Sequence, residues 1–208
     1  MTELLIRTFI KDRENTGSTA VRTAYGNLAS LVGIFCNILL AAGKFLAGSL
    51  FGSISIVADA LNNLTDASSN VISLMGFRLA SRKPDSDHPY GYGRYEYLAG
   101  LVVAAMVLLI GVELGQTSLD KILHPTPVEF SLLSVAVLLA SIFVKLWLAV
   151  FNRHIGGLIH SSTLEATAAD SRNDVISTGA VLAALLISHF TGFELDGWMG
   201  LAVAAFIL

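Results

Sequence analysis

Two short polar motifs interrupt otherwise apolar stretches of this sequence. The first contains Asp59, Asn62 and Asp66, and the second contains Asp170 and Asp174. A helix turns about 100° per residue, so residues four apart share a face, and Asp59 falls on nearly the same stripe as Asp66. Ionisable groups inside a membrane are energetically costly and usually functional. The two motifs therefore predict one cation site that two helices share.

The four side chains of the predicted primary site all carry oxygen ligands: Asn62, Asp66, Asp170 and Asp174. Carboxylate and amide oxygens suit Mg²⁺, Ca²⁺ and Mn²⁺ better than Zn²⁺, which favours imidazole and thiolate. The alternative is a polar contact between packed helices, with the carboxylates paired to Lys44, Lys145 or Arg172. Arg172 lies two residues from each aspartate of its motif, about 200° around the helix, so we expect it to point away from them.

The composition indicates a membrane protein built from helices. Of the 208 residues, 54% are hydrophobic and only 14% are charged, whereas soluble domains usually carry about 25% charge. A helix needs about 20 apolar residues to cross the bilayer. We therefore predict an all-α polytopic membrane protein with six transmembrane helices, at 27–50, 54–79, 95–119, 130–151, 158–190 and from 197 onward.

These spans divide the chain into a cytoplasmic N-terminal arm, residues 1–26, and a transmembrane domain, residues 27–208. A short cytoplasmic connection is predicted at 152–157, where polar residues and two glycines follow the fourth span. The sequence from Gly197 to the last residue has 12 residues, which is too few to cross a bilayer at about 1.5 Å per residue. The sixth span is therefore expected to be truncated, and the natural protein to be longer.

The distribution of basic residues predicts the orientation in the membrane. The N-terminal arm, the 78–94 region and the connection at 152–157 hold nine of the thirteen Lys and Arg residues. The predicted external turns hold only Lys121. Because an excess of Lys and Arg marks cytoplasmic segments, we expect a multi-pass protein of the cell membrane with its N-terminus in the cytoplasm. There is no long basic run, so no nucleic-acid partner is expected.

Three passages carry a resemblance to a known family: ADALNNLTDASS at 58–69, HPYGYGRYE at 88–96 and DSRND at 170–174. The chain resembles the membrane domain of the cation diffusion facilitators over essentially its whole length. The resemblance implies that the second and fifth spans form the transport site. It also implies a homodimer and a cytosolic metal-binding domain after the sixth span. Zinc-transporting members commonly present His or Asp at the positions of Asn62 and Asp170, so this sequence resembles the manganese-transporting branch.

The loop before the third span is a second candidate site. Some zinc-transporting relatives bind another metal there through an acidic residue and two histidines. Asp85 and His88 match two of those positions, but Tyr92 stands where the second histidine would be. The alternative is structural, since proline and glycine residues shape a turn in this loop. His160 is a further candidate for shuttling a proton or sampling the metal on entry, with contact to headgroups or the loop as the alternative. Asp59 is a candidate for guiding ions, with helix packing as the alternative.

The ligand types together with the resemblance imply export of Mn²⁺ in exchange for protons by alternating access through the lipid bilayer. The metal is then the cargo, and no resident cofactor is expected. Zn²⁺, Fe²⁺, Co²⁺ and Cd²⁺ are alternative cargoes. A metal-dependent membrane enzyme would need a water-activating base and usually histidine ligands, and no HExxH motif occurs. A cation channel is disfavoured because ions must leave a channel easily, whereas a carboxylate cluster holds them tightly.

Overall fold

The computed structural model describes residues 2–10, 15–51, 54–124, 131–191 and 196–208, and within these ranges the chain is helical with no β-strand. The helices of this part of the chain are α1 (Thr2–Phe9), α2 (Thr19–Phe51), α3 (Ile54–Ala80), α4 (Arg94–Leu123), α5 (Leu132–Ile159), α6 (Ser162–Thr191) and α7 (Asp196–Ile207). The predicted all-α fold class is confirmed.

The helices after α1 follow the order of the six predicted spans. The α3 helix has nearly the bounds predicted for the second span, whereas α2 begins at Thr19, so the predicted end of the N-terminal arm falls inside a helix. Among the described residues, three helices are long and apolar enough to cross a membrane by length and composition: α2 over Thr19–Ala47, α4 and α5. The chain is thus a helical multi-pass membrane protein, in which α3 and α6 carry the polar motifs.

The connection predicted at 152–157 is wrong, because α5 continues as a helix to Ile159. Asn152, Ile155 and Ile159 are almost completely buried, so this last part of α5 packs into the interior. Gly156 lies against Leu164 of α6. A Cβ atom at position 156 would be only 3.2 Å from the Cβ atom of Leu164, so a larger residue would crowd this contact. Tertiary packing therefore overrides the loop preference of the polar and glycine residues. The chain reverses instead at residues 160–161.

The chain folds into two compact units, the first of which comprises Met1–Ala104 and Leu148–Ala169. Within this unit α2 packs closely against α3. Gly26 lies against the ring of Phe77, and Gly33 lies against the side-chain amide of Asn70. A Cβ atom at either glycine would overlap the neighbouring side chain, so both glycines are needed for the close approach of α2 to α3.

A partly buried ion pair joins the beginnings of α2 and α4 in the first unit. The Arg22 guanidinium donates from Nη2 to both carboxylate oxygens of Glu96, at 2.8 and 3.0 Å, and from Nε to Oε2 at 3.2 Å. Arg22 also donates to the carbonyl of His160 at 3.3 Å, and the Thr163 hydroxyl donates to the Glu96 carbonyl at 2.6 Å. These contacts tie the α5–α6 turn to the same two helices.

The second unit comprises Ala105–Trp147 and Asp170–Leu208. Here α7 packs against the C-terminal part of α4 through small residues. Gly111 faces Ile207, Gly115 faces Ala204, and Gly200 faces Ser118. Small residues let helix backbones approach closely, which is how helices commonly associate in membranes.

Candidate metal-binding site

The first half of the predicted site lies on a buried polar face of α3. Asp66 is 5% exposed, and Ser69, Asn70 and Ser73 are buried with it. The Asn70 side chain donates to the Asp66 carbonyl at 2.8 Å, and the Ser73 hydroxyl donates to the Ser69 carbonyl at 3.1 Å. Hydrogen bonds to carbonyls one turn earlier satisfy these polar side chains within the helix. The face thus presents the Asp66 carboxylate in the interior of the protein.

Asn62 does not share the burial of Asp66. It is exposed, whereas its neighbour Asn63 is 3% exposed and accepts a hydrogen bond from the Lys44 ammonium at 3.1 Å. Position 63 is three residues before Asp66 and position 62 is four before it, so both lie near the Asp66 face. Helix packing turns Asn63 inward, and periodicity alone does not distinguish the two. The side chain of Asp59 lies outside the described part of the chain.

The second half of the predicted site lies on α6. The carboxylate oxygens of Asp170 and Asp174 come within 4.8 Å of one another, so the i, i+4 spacing does place both ligands on one face. Asp170 is 6% exposed and the Asp174 side chain is 30% exposed. Two carboxylates this close repel each other, and a cation between them relieves that repulsion. The pair has the ligand chemistry of a hard divalent cation.

A basic residue on α5 contacts Asp174 of this pair. The Lys145 ammonium donates to Oδ2 of Asp174 at 2.7 Å, and the lysine side chain is only 4% exposed. Arg172, by contrast, is exposed, and its guanidinium lies 6.0 Å from the centre of the Phe206 ring. Sequence reasoning offered Lys145 only as one of three possible helix-packing partners. The signal for it was a lysine in the middle of a strongly apolar span.

The loop before α4 forms a compact hydrogen-bonded turn around Asp85. The Tyr92 hydroxyl donates to Oδ2 of Asp85 at 2.5 Å, and the backbone N–H groups of His88 and Asp87 donate to Oδ1 at 2.8 and 3.2 Å. The imidazole of His88 stacks on the Tyr92 ring with their centres 4.2 Å apart. Tyr92 stands at the position where a second histidine ligand would be, and its hydroxyl instead donates a hydrogen bond to the Asp85 carboxylate.

Hydrogen bonding within this turn shifts the pKa values of Asp85 and Tyr92. The Tyr92 hydroxyl, followed by the His88 N–H, lowers the pKa of the Asp85 carboxyl, because both donors stabilise the charged form. The same bond to Asp85 raises the pKa of the Tyr92 hydroxyl. Asp85 and His88 are close, with Oδ1 and Nδ1 3.5 Å apart. They are bound into the turn together with Tyr92, which agrees with the structural alternative for this loop.

His160 lies in the turn between α5 and α6. Its φ is 50°, in the left-handed region that residues other than glycine rarely adopt, and its side chain is exposed. Its carbonyl accepts the hydrogen bond from Arg22. The backbone of His160 therefore has a structural part in the turn, and the proton-shuttling or metal-sampling role suggested for its imidazole remains a prediction.

The fold and these residues define a helical multi-pass membrane protein with buried carboxylates on two of its helices. The family can be stated more closely: the chain belongs to the cation efflux family, whose transmembrane-domain model matches residues 30–208. The resemblance read from the three sequence passages is confirmed. The family is one of membrane transporters and not of enzymes.

Individual relatives agree with this assignment. An uncharacterized transporter of Methanocaldococcus jannaschii is 31% identical over 180 residues, which cover 86% of this chain and 62% of the relative. An uncharacterized transporter of Bacillus subtilis is 34% identical over 158 residues, covering 76% and 54% of the two chains. The manganese efflux system protein MneS of B. subtilis is 27% identical over 165 residues, covering 79% and 57%. The chain therefore spans less than two thirds of the length of these relatives.

Proposed function

We propose that this chain is the membrane part of an exporter of divalent metal cations. The observation that carries the proposal is the pair of carboxylates, Asp170 and Asp174, whose oxygens lie within 4.8 Å of one another on α6. Asp66, buried on the polar face of α3, is proposed to complete the same site. Membership of the cation efflux family supports a transport role for a cluster of this kind.

Mn²⁺ is the proposed cargo. The proposed ligands are the carboxylates of Asp66, Asp170 and Asp174 with the amide of Asn62, and none of them is the imidazole or thiolate that Zn²⁺ favours. Asn62 would have to turn inward from its exposed position to join them. A relative 27% identical to this chain is named a manganese efflux system protein, which agrees with a hard oxygen site. Fe²⁺, Co²⁺, Cd²⁺ and Zn²⁺ are the competing cargoes.

The proposed transport cycle follows from the charge of the ligands. When the site faces the cytoplasm, the ionised carboxylates bind the metal. Rocking of the helices then exposes the site to the other side, where the metal leaves and protons bind the carboxylates. Protonation removes the repulsion between like charges, so the empty site returns at lower cost. The protein is proposed to act as a homodimer in the bilayer, with protons as the counter-transported ions.

Two other classes of function predict different observations. A metal-dependent membrane enzyme would form a product from a substrate, and it would need a water-activating base beside an open metal position. A cation channel would conduct the metal without a coupled proton flux. The family assignment favours transport over both.

A flux measurement tests the proposal. The full chain is reconstituted in vesicles, and Mn²⁺ movement is followed with and without a pH gradient. We expect gradient-driven flux in the wild type and its loss in Asp66→Asn and in Asp174→Asn. Asp120→Asn is the control, since Asp120 is exposed near the end of α4, where its carboxylate lies 3.1 Å from Nδ1 of His124. Flux that persists in both site variants, or flux that ignores the pH gradient, would overturn the proposal.

A further inference from the structure

The Lys145–Asp174 ion pair places a positive charge on a proposed metal ligand. The Lys145 side chain is 4% exposed, so its ammonium has lost most of its hydration, and the 2.7 Å bond to Asp174 compensates for that loss. The bond takes up Oδ2 of Asp174, which is one of the oxygens a metal ion would use. A positive group that is already in contact with a carboxylate competes with any cation that approaches the same carboxylate.

We propose that Lys145 is a tethered counter-ion of the transport site: its ammonium binds Asp174 in the absence of metal, and a divalent cation displaces it. This inference rests on the proposed function, because it assumes that Asp174 is a ligand of the transported metal. The tether keeps the ammonium beside the carboxylate at a high effective concentration. Lys145 therefore weakens metal binding and helps the metal to leave.

The same arrangement discriminates between cations by charge. A sodium or potassium ion carries the same charge as the ammonium, so exchanging one for the other gains no Coulomb energy with Asp174. A divalent ion carries twice that charge, so its exchange for the ammonium does gain Coulomb energy with Asp174. Lys145 thus acts as a specificity-determining residue that excludes monovalent cations from Asp174. A lysine that only held α5 against α6 would not affect this discrimination.

Equilibrium dialysis of the full chain in detergent micelles, with Mn²⁺ as the probe at several sodium concentrations, tests the proposal. Lys145→Met removes the charge and keeps most of the side-chain volume. We expect it to bind Mn²⁺ roughly tenfold more tightly at low sodium, the scale of one charge-assisted hydrogen bond. Its affinity should then fall more steeply than that of the wild type as sodium is raised.

Two matched variants separate a local effect from a general change of charge. Lys145→Arg keeps the charge beside Asp174 and should leave the affinity close to that of the wild type. Arg172→Met removes a charge from α6 at a position that is exposed and directed to Phe206, so it should also leave the affinity nearly unchanged. If Lys145→Met fails to fold, Lys145→Gln supplies the test, since it can still donate a hydrogen bond to Asp174.

The outcomes distinguish the two proposals. Unchanged or weaker Mn²⁺ binding in the uncharged variant, with a sodium dependence like that of the wild type, would overturn the role of Lys145 and leave the metal site standing. An equal gain of affinity in Arg172→Met would also overturn it, because any nearby positive charge would then suffice. Failure of the wild type itself to bind Mn²⁺, Zn²⁺, Fe²⁺, Co²⁺ or Cd²⁺ would overturn the proposed function together with this inference.

Discussion

The Arg22–Glu96 ion pair offers the most quantitative prediction about stability. Replacing Arg22 with Met leaves the Glu96 carboxylate buried and without its three hydrogen bonds from the guanidinium. Breaking a fully buried ion pair from one side costs about 3–5 kcal/mol, whereas exposed pairs contribute about 0–1 kcal/mol. The Glu96 side chain is 6% exposed and that of Arg22 is 31% exposed. We therefore expect a loss of about 2–3 kcal/mol, between these two limits.

A double-mutant cycle separates the ion pair from the packing of the long arginine side chain. The free energy of unfolding in detergent micelles is measured for Arg22→Met, Glu96→Gln and the double variant. The double variant should be less destabilised than the sum of the single variants, by about 2 kcal/mol, because it removes the Glu96 charge that Arg22→Met alone leaves buried and unpaired. Arg22→Lys keeps the charge but loses the fork of donors, so its stability should be intermediate. Strict additivity of the two single variants would refute the reasoning.

Three further predictions concern the loop and the ligands. His88→Ala should reduce Mn²⁺ flux in vesicles far less than Asp174→Ala, and equal losses of flux and of bound metal would make the loop a primary site. Tyr92→Phe should raise the pKa of Asp85 in an NMR titration, because the largest cause of its lowered pKa is removed; the stability that ionised Asp85 gives the turn should then be lost at a higher pH as the solution is acidified. An unmoved Asp85 titration would contradict the hydrogen bond. Asp170→His, and more so with Asn62→His, should shift the ratio of initial transport rates from Mn²⁺ toward Zn²⁺, since imidazole nitrogen favours zinc; an active double variant with an unchanged ratio would remove both residues as selectivity determinants.

Periodicity predicted those parts of the site that depend on one helix alone. The spacing of Asp170 and Asp174 is four residues, which is enough to place both carboxylates on one face of α6. The buried polar face of α3 around Asp66 follows from the same rule. Both motifs were recognisable because charged groups are rare in membrane helices, where they are energetically costly and usually functional.

Features that depend on contacts between helices could not be predicted from the sequence. Asn62 and Asn63 lie near the Asp66 face in any helix, and only packing determines that Asn63 is the buried one. The continuation of α5 to Ile159 depends on the burial of residues whose types favour a loop. Several basic residues could have paired with the aspartates of α6. Identifying Lys145 as the partner of Asp174 required the distance between α5 and α6, which no pattern within one helix provides.

The central proposal is that Asp66 on α3 and the aspartates of α6 bind the same metal ion. The most direct test is the stoichiometry of Mn²⁺ bound to the full chain, measured by equilibrium dialysis with metal analysis. If the ligands form one site, the wild type holds a single high-affinity Mn²⁺ ion per chain at that site, and Asp66→Asn and Asp174→Asn each abolish it. Retention of that ion at wild-type affinity in either variant would contradict a shared site.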